Sequence, residues 1–281
     1  MLFTVIIPTC NRNEQLENCL YKIDPERQSL SSSEYEVIVT DDGHANQAEK
    51  MIPEKFPSIK WIAGPKKGPA ANRNNGAKIA RGKWLVFLDD DCLPNEDILE
   101  NYSQLITSNP GIRVFEGGIE REGNMKSPIY KAPGNTRTNG GFLLSCNFAI
   151  ERALFDELNG FDENFKYPHL EDYDLRDRIL AINEPILFTL EAKVVHPWRI
   201  MKSGIKLGHF EEMSIYYNAK NGNPSALLPL LKCITISHLL KIGWFVKHLK
   251  LSADILTAFK IMFQHLAIVG LNFNKWEKKY Y

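Results

Sequence analysis

Asp89-Asp90-Asp91, the longest unbroken acidic run in the chain, directly follows the apolar stretch WLVFL. Three adjacent carboxylates repel one another unless a cation or several donors compensate them. On an extended backbone Asp89 and Asp91 point the same way. A hard divalent ion, Mg²⁺ or Mn²⁺, held by one or two carboxylates plus substrate phosphates suits that arrangement. The plain alternative is a solvated acidic turn, with Asn95 capping the next helix. Asp41-Asp42-Gly43 follows a second apolar run, EVIVT; it is either a simple turn or a pair from which one carboxylate accepts a base N–H or ribose hydroxyl. Gly68–Gly76 (GPAANRNNG) carries Arg73, either a bidentate phosphate holder or an ordinary surface arginine. Glu171-Asp172-Tyr173-Asp174 opens a helical pattern. Acidic groups there complement the helix dipole, and a carboxylate at a cleft can also act as the general base that removes a hydroxyl proton. His196, in VVHPW, is either a satisfied structural histidine or a neutral imidazole ligand to the same cation.

The segments that position these groups alternate in period. Phe3–Ile7, Glu36–Thr40, Ile59–Ala63 and Lys83–Leu88 are short apolar runs that read as strands. Between and after them, Asn13–Ile23, Ala45–Met51, Ala70–Ala80 and Asp97–Thr107 read as helices. This alternation predicts an α/β fold: a Rossmann-like, mainly parallel sheet flanked by helices. Right-handed crossovers bring the carboxyl ends of the strands to one edge, where open α/β sheets bind ligands. Both acidic clusters fall on that edge. Further on, Val114–Ile119, Gly140–Ile150 and Pro185–Val195 read as strands, with helices near Ala153–Leu158 and over Asp172–Ile182. Neither GxxxxGK[ST] nor GxGxxG occurs, which argues against a P-loop NTPase or a Rossmann dehydrogenase.

Composition narrows the classes. With 44% hydrophobic and 24% charged residues over 281 positions, the chain is not disordered or low-complexity. Lys plus Arg equals Asp plus Glu at 34 each, which gives no sign of a nucleic-acid partner. That balance hides two opposed parts: residues 200–281 hold 11 lysines against four acidic residues, and residues 1–199 carry the compensating negative excess. Five scattered cysteines without metal or disulfide spacing suit a reducing compartment. No positive region precedes the first apolar run, so no secretory signal is expected. No stretch of 18 uncharged apolar residues occurs, so no spanning helix is expected either.

Taken together, VIIPTCNR, VIVTDDG, GPAANRNNGAKIARGKWLVFLDDDCLP, the NFAI–GFDENF segment and EDYDLRDRI resemble the family 2 glycosyltransferases, inverting enzymes with the GT-A fold, over about residues 1–200. The resemblance implies that Pro8 and Thr9 line a nucleotide pocket, that Asp42 or Asp41 binds the base, and that Arg73 contacts the nucleotide or diphosphate. Asp89 and Asp91 match the outer residues of the DxD motif, with Asp90 between them on the donor side; Asp91 is the implied direct ligand of Mn²⁺ or Mg²⁺ and His196 a further one. Asp172 matches the catalytic base, with Glu171 and Arg178 as neighbours. The implied reaction is a single in-line displacement from a nucleotide-sugar, UDP-linked in the commoner case, to a glycan or lipid-linked acceptor in bacterial-type cell-surface polysaccharide synthesis. Two positions depart from the pattern: Cys10 stands where an aromatic is common, and His44 replaces the usual Ser after the DDG turn. A sugar nucleotidyltransferase would share the acidic crevice but should carry a Gly-rich, Lys-containing loop that PTCNRNEQ lacks. A catalytically silent relative should have lost acidic groups that are intact here.

The expected organisation is a catalytic domain over 1–222, with its nucleotide half to about 110 and its acceptor half over 111–222, then a basic tail over 223–281. From about 223 the apolar sequence with interspersed Lys and His predicts two or three amphipathic helices, with a hinge at Asn221–Pro224. Eight lysines against two acidic residues in 223–281 suit peripheral contact with an anionic membrane from the cytoplasmic side, or packing on the catalytic domain or a second subunit.

Overall fold

The run FTVIIPT forms β1 (Phe3–Thr9), buried along its whole length because it lies between β2 (Tyr35–Asp41) and β4 (Trp84–Leu88). The structure, a computed structural model, describes all 281 residues except 45–46, 125–129, 137, 201–202, 224–225 and 248–252. The start of the expected helix at 45 and the end of the expected hinge at 224 lie outside the described residues. Two compact units emerge: Met1–Glu122 with Pro133–Pro197, and Gly123–Ala132 with Trp198–Tyr281.

The first unit is built on an eight-stranded sheet of order β3-β2-β1-β4-β8-β6-β9-β5, where β3 is Lys60–Ala63, β5 Leu93–Pro94, β6 Val114–Arg121, β8 Asn147–Glu151 and β9 Ile186–His196. The first four strands in that order are parallel, as the alternation predicts. Beyond them the sheet is mixed: β8 runs antiparallel to both β4 and β6, while β6 and β9 are parallel. The chain reaches β8 from β6 without a crossover helix, and such a connection leaves the antiparallel direction open.

Alternate residues of the central strands (Val5, Ile7, Val37, Val39, Val86) pack with Leu16, Cys19 and Leu20 of α1 (Asn13–Ile23) and Ile52 of α2 (Gln47–Lys55). Each such buried aliphatic contributes about 1.5–3 kcal/mol. Phe87 stacks on Phe148 with ring centroids 5.0 Å apart and meets Phe161 edge-on at 5.2 Å. Next to these strands lies α3 (Pro69–Ala77), where a Cβ on Gly76 would stand 2.7 Å from Ile6 Cγ2. Only glycine lets the helix come that close. α4 (Ile98–Ser108), α5 (Arg152–Glu157) and α6 (Glu171–Ala181) complete the unit. The strand expected over 140–150 begins only at Asn147: the backbone N–H groups of Gly141 and Phe142 are taken by the buried Glu116 carboxylate at 2.6 and 3.1 Å instead of by a neighbouring strand.

Among the described residues, the second unit holds a two-stranded antiparallel ribbon, β7 (Tyr130–Lys131) with β10 (Arg199–Ile200), and three helices: α7 (Gly204–Lys220), α8 (Leu227–Lys247) and α9 (Ala253–Tyr280). The helical periodicity of the sequence does not predict α7. It groups with the C-terminal helices, so the compact units divide after Pro197 rather than at 222. Ile234 of α8 and Val269 and Phe273 of α9 enclose Ile215 of α7. By length and composition, Leu227–Trp244 and Ile255–Tyr280 are long and apolar enough to cross a membrane. This departs from the expectation, which required an uncharged run; a lysine whose stem lies along apolar surface does not disqualify such a helix.

Candidate active site

β1 has β2 on one side and β4 on the other, so the turns that follow these three strands converge on one edge where the sheet order reverses. Asp90 sits beneath that edge, wholly buried. Thr9 Oγ1 donates to its Oδ2 at 2.7 Å, Arg12 Nε donates to the same oxygen at 3.0 Å, and Arg12 Nη2 lies 2.5 Å from Oδ1. Burial pushes the Asp90 carboxyl up to about 7 against the pull of Arg12. Asp90 therefore anchors the acidic loop rather than offering its carboxylate to a nucleotide-sugar. Thr9 likewise turns its hydroxyl to Asp90, and Pro8 is a buried strand residue paired with Thr40. Arg12 did not stand out in the sequence; its one signal is that it is the first basic residue in the chain.

Asp91 faces the other way. Its Oδ1 lies 3.7 Å from His196 Nε2, and Arg12 Nη1 lies 3.4 Å from its Oδ2. His196 Nδ1 is 2.8 Å from the Pro197 carbonyl oxygen; as the donor in that bond it leaves Nε2 with a lone pair toward Asp91. Ligand atoms of Asp91, Cys92 and His196 all lie within 4.8 Å of one another. Carboxylate and neutral imidazole fit Mn²⁺ well and Mg²⁺ less so, whereas a thiol fits neither. Cys92 is instead hydrogen-bonded to Cys146 and buried.

Arg73 is not a surface residue here. Almost every residue of α3 is buried, and the polar ones are satisfied locally: Asn72 Nδ2 donates to the Thr40 carbonyl at 2.8 Å, and Asn74 Nδ2 to the Phe161 carbonyl at 2.8 Å. The guanidinium of Arg73, 3% exposed, donates through Nη2 to Asp89 Oδ1 at 2.7 Å and through Nη1 to Glu171 Oε1 at 3.0 Å. It thus joins the end of β4 to the start of α6, which the sequence separates by some eighty positions.

At the start of α6, Glu171 is buried and Asp172 partly exposed. Burial raises both carboxyls, and the Asp172 charge helps bring Glu171 to about 7 while Arg73 opposes. Asp172 accepts the backbone N–H of Ser145 at 3.2 Å and of Tyr173 at 2.9 Å. The loop bearing Ser145 is fixed in turn by a network that sequence reasoning missed. Buried Asn135 donates to Glu116 Oε1 at 2.9 Å and accepts from the Ile119 N–H at 2.6 Å. Arg178, placed by resemblance beside the base, is structural, pairing with Asp174 at 2.9 Å and donating to the carbonyls of Leu158 and Gly160.

Near the end of β2, Asp42 accepts the backbone N–H groups of Lys66 at 2.8 Å and Gly68 at 3.1 Å, and Asp41 Oδ1 accepts that of Gly43 at 2.7 Å. Both carboxylates thereby shape the loops around the crevice. Cys10 beside them is exposed, and the His44 N–H is held by Asn11 Oδ1 at 3.2 Å.

Comparison with known proteins bears on this arrangement. An uncharacterized glycosyltransferase of Haemophilus influenzae is 27% identical over 208 residues, covering 66% of this chain and 67% of that one. The GalNAc(5)-diNAcBac-PP-undecaprenol beta-1,3-glucosyltransferase of Campylobacter jejuni is 32% identical over 129 residues, which span 43% of this chain and only 40% of that protein. Among solved structures, S. aureus TarS 1–349 superimposes with a TM-score of 0.59 at 17% identity, over 98% of this chain and 92% of that one. The same protein in complex with UDP gives 0.56 at 19% identity, over 79% and 66%. At such identities the likeness shows the fold, of GT-A type. The family model described as glycosyl transferase family 2 matches residues 4–158, more than half of the sequence and nearly all of the four adjoining parallel strands β3, β2, β1 and β4, and the chain belongs to that family.

Proposed function

We propose that the chain is an inverting glycosyltransferase that moves a hexosyl or N-acetylhexosaminyl group from a UDP-sugar to a hydroxyl of a glycan or lipid-linked acceptor. The observation that carries this reading is the Arg73 bridge. One buried guanidinium binds both Asp89 of the acidic motif and Glu171 at the head of α6, so donor-side and acceptor-side chemistry meet beside one edge of one sheet. The UDP complex of TarS supports the choice of nucleotide. The name of the Campylobacter relative supports an undecaprenol-linked acceptor; cell-surface polysaccharide synthesis at the cytoplasmic face of a membrane is the setting we propose for it.

Asp172 is the base. It is the member of the pair that reaches solvent, and its two backbone hydrogen bonds fix its orientation. It takes the acceptor proton as the oxygen attacks the anomeric carbon opposite the leaving diphosphate, and an α-linked donor gives a β-linkage. Glu171, held by Arg73, sets the charge beside that base without touching the acceptor. Asp91 and His196, with Asp89 adjacent, are the residues that would hold Mn²⁺ or Mg²⁺, and such an ion neutralises charge on the leaving diphosphate. Asp90 and Arg12 keep the ligand loop in place.

The test is UDP release from a panel of UDP-sugars, with GDP- and dTDP-sugars as controls, and NMR of the product's anomeric proton. Turnover of one donor with inversion is expected. A retained configuration, or no turnover of any donor by folded protein supplied with polyprenyl-linked and soluble glycan acceptors, would refute the proposal.

A further inference from the structure

We propose that the helical unit lies on an anionic lipid bilayer through the outward faces of α8 and α9, without crossing it. This does not depend on the transfer reaction proposed above.

Both helices are apolar on the side that packs and on the side that does not. Leu228, Ile236 and Leu240 of α8 are 79, 48 and 71% exposed, and Leu256, Phe263 and Leu271 of α9 are 75, 64 and 81% exposed. Their spacing sets each trio along one stripe of its helix; that of α9 runs for about 22 Å. A helix that meets only water shows charge on such a face. Here the charge on the stripes is lysine alone: Lys232 stands between Leu228 and Ile236 and Lys260 one turn after Leu256, both exposed, with Lys275 and Lys278 exposed toward the end of α9.

The inner faces oppose a crossing. Ile242 of α8 packs on Ala258 and Met262 of α9, and α9 is bound to α7 by polar contacts. His238 Nε2 and His265 Nδ1 are 3.1 Å apart, His265 Nε2 lies 3.4 Å from Glu211 Oε1, and Lys279 Nζ donates to Glu212 Oε1 at 3.1 Å. To span a bilayer, α9 would have to leave α7 or draw its carboxylates into hydrocarbon, where ionised groups are costly. Lying in the interface keeps every one of these contacts. The charge selects the occupant: eight lysines against two acidic residues over 223–281 complement anionic headgroups, whereas a second copy would bring like charges together.

The test is flotation of the full chain with vesicles of phosphatidylcholine alone and of phosphatidylcholine with one quarter phosphatidylglycerol. The proposal expects flotation with the anionic vesicles, weakened by salt and reversed by alkaline carbonate. Leu240→Glu with Phe263→Glu should lower partitioning at least about tenfold. Both side chains are exposed, so circular dichroism and UDP binding of the variant should match the parent. Absence of flotation, unchanged partitioning of the variant, or resistance to carbonate would each overturn the proposal. So would a soluble dimer that the same two substitutions dissociate, which would assign the surface to a second copy.

Discussion

Replacing Arg73 by Met keeps the length and apolar contacts of the side chain but leaves Asp89 and Glu171 facing each other's charge without the guanidinium between them. Arg73 is 3% exposed and makes contacts of 2.7 and 3.0 Å to the two carboxylates. Removing one partner from a buried ionic group costs about 3–5 kcal/mol, a large share of the 5–15 kcal/mol that holds a typical domain together. The cost depends on pH, and the sign follows from Glu171. Its folded carboxyl is already raised to about 7, chiefly by burial, with Arg73 pulling it down. Without Arg73 it rises further. A raised carboxyl favours the folded state at low pH and disfavours it as pH climbs through the folded value. Below about 7 Glu171 is protonated in both proteins, and only the Asp89 contact distinguishes them. Above that value the parent ionises first, and the gap widens by about 1.4 kcal/mol for each pH unit of further shift. Urea unfolding at pH 6 and pH 9, followed by hydrogen exchange of peptides from β1 and β4, reads the first unit alone. The expected loss is 3–5 kcal/mol at pH 9 and clearly smaller at pH 6. A loss below about 1 kcal/mol at pH 9, or an equal loss at both, would refute the bridge as an energetic element.

Asp172→Asn should lower kcat about 10²- to 10⁴-fold while UDP affinity in calorimetry stays within twofold. In the parent, kcat/KM should fall on the acid side at a pH above the ordinary carboxylate range, because the base works ionised and burial raises the Asp172 carboxyl; an acid limb at the ordinary aspartate value of about 4 would count against this assignment. Arg12→Ala leaves the wholly buried Asp90 without its cation, and urea midpoints at pH 8 should show a loss of about 2–3 kcal/mol, with Arg12→Lys recovering part. Asn135→Ala removes bonds to Glu116, Gly117 and Ile119. It should cost about 3 kcal/mol, speed exchange of the 141–145 amides and lower kcat through Ser145 and Asp172; unchanged exchange there would detach that network from the site.

Most of the parallel half of the sheet was readable because β1, β2 and β4 are buried on both faces and so appear as largely apolar runs. Strand direction is not written in such a run. β8 looks like its neighbours, and its antiparallel course follows from the connection that leads into it. The acidic clusters were readable as types and positions, but their division of labour was not. Asp89, Asp90 and Asp91 are consecutive, yet one faces Arg73, one Thr9 and Arg12, and one His196. The burial of GPAANRNNG was not readable, because its asparagines satisfy their amides against backbone carbonyls inside the fold and sequence spacing does not reveal such pairings. α7 escaped notice because its contact with α9 runs through glycines: a Cβ on Gly204 or Gly208 would collide with Ile261 or Ile268, and glycines carry no apolar period.

The most direct measurement is calorimetric titration of UDP into the full chain with Mn²⁺, then with EDTA, and again on Asp91→Asn. Asp91, His196 and the adjoining loop predict binding that needs Mn²⁺ and weakens at least tenfold in the variant, with Asp90→Asn disturbing stability more than metal dependence. Binding that survives both EDTA and the loss of the Asp91 charge, in protein whose fold is intact, would contradict the assignment of this edge of the sheet as a metal-assisted donor site.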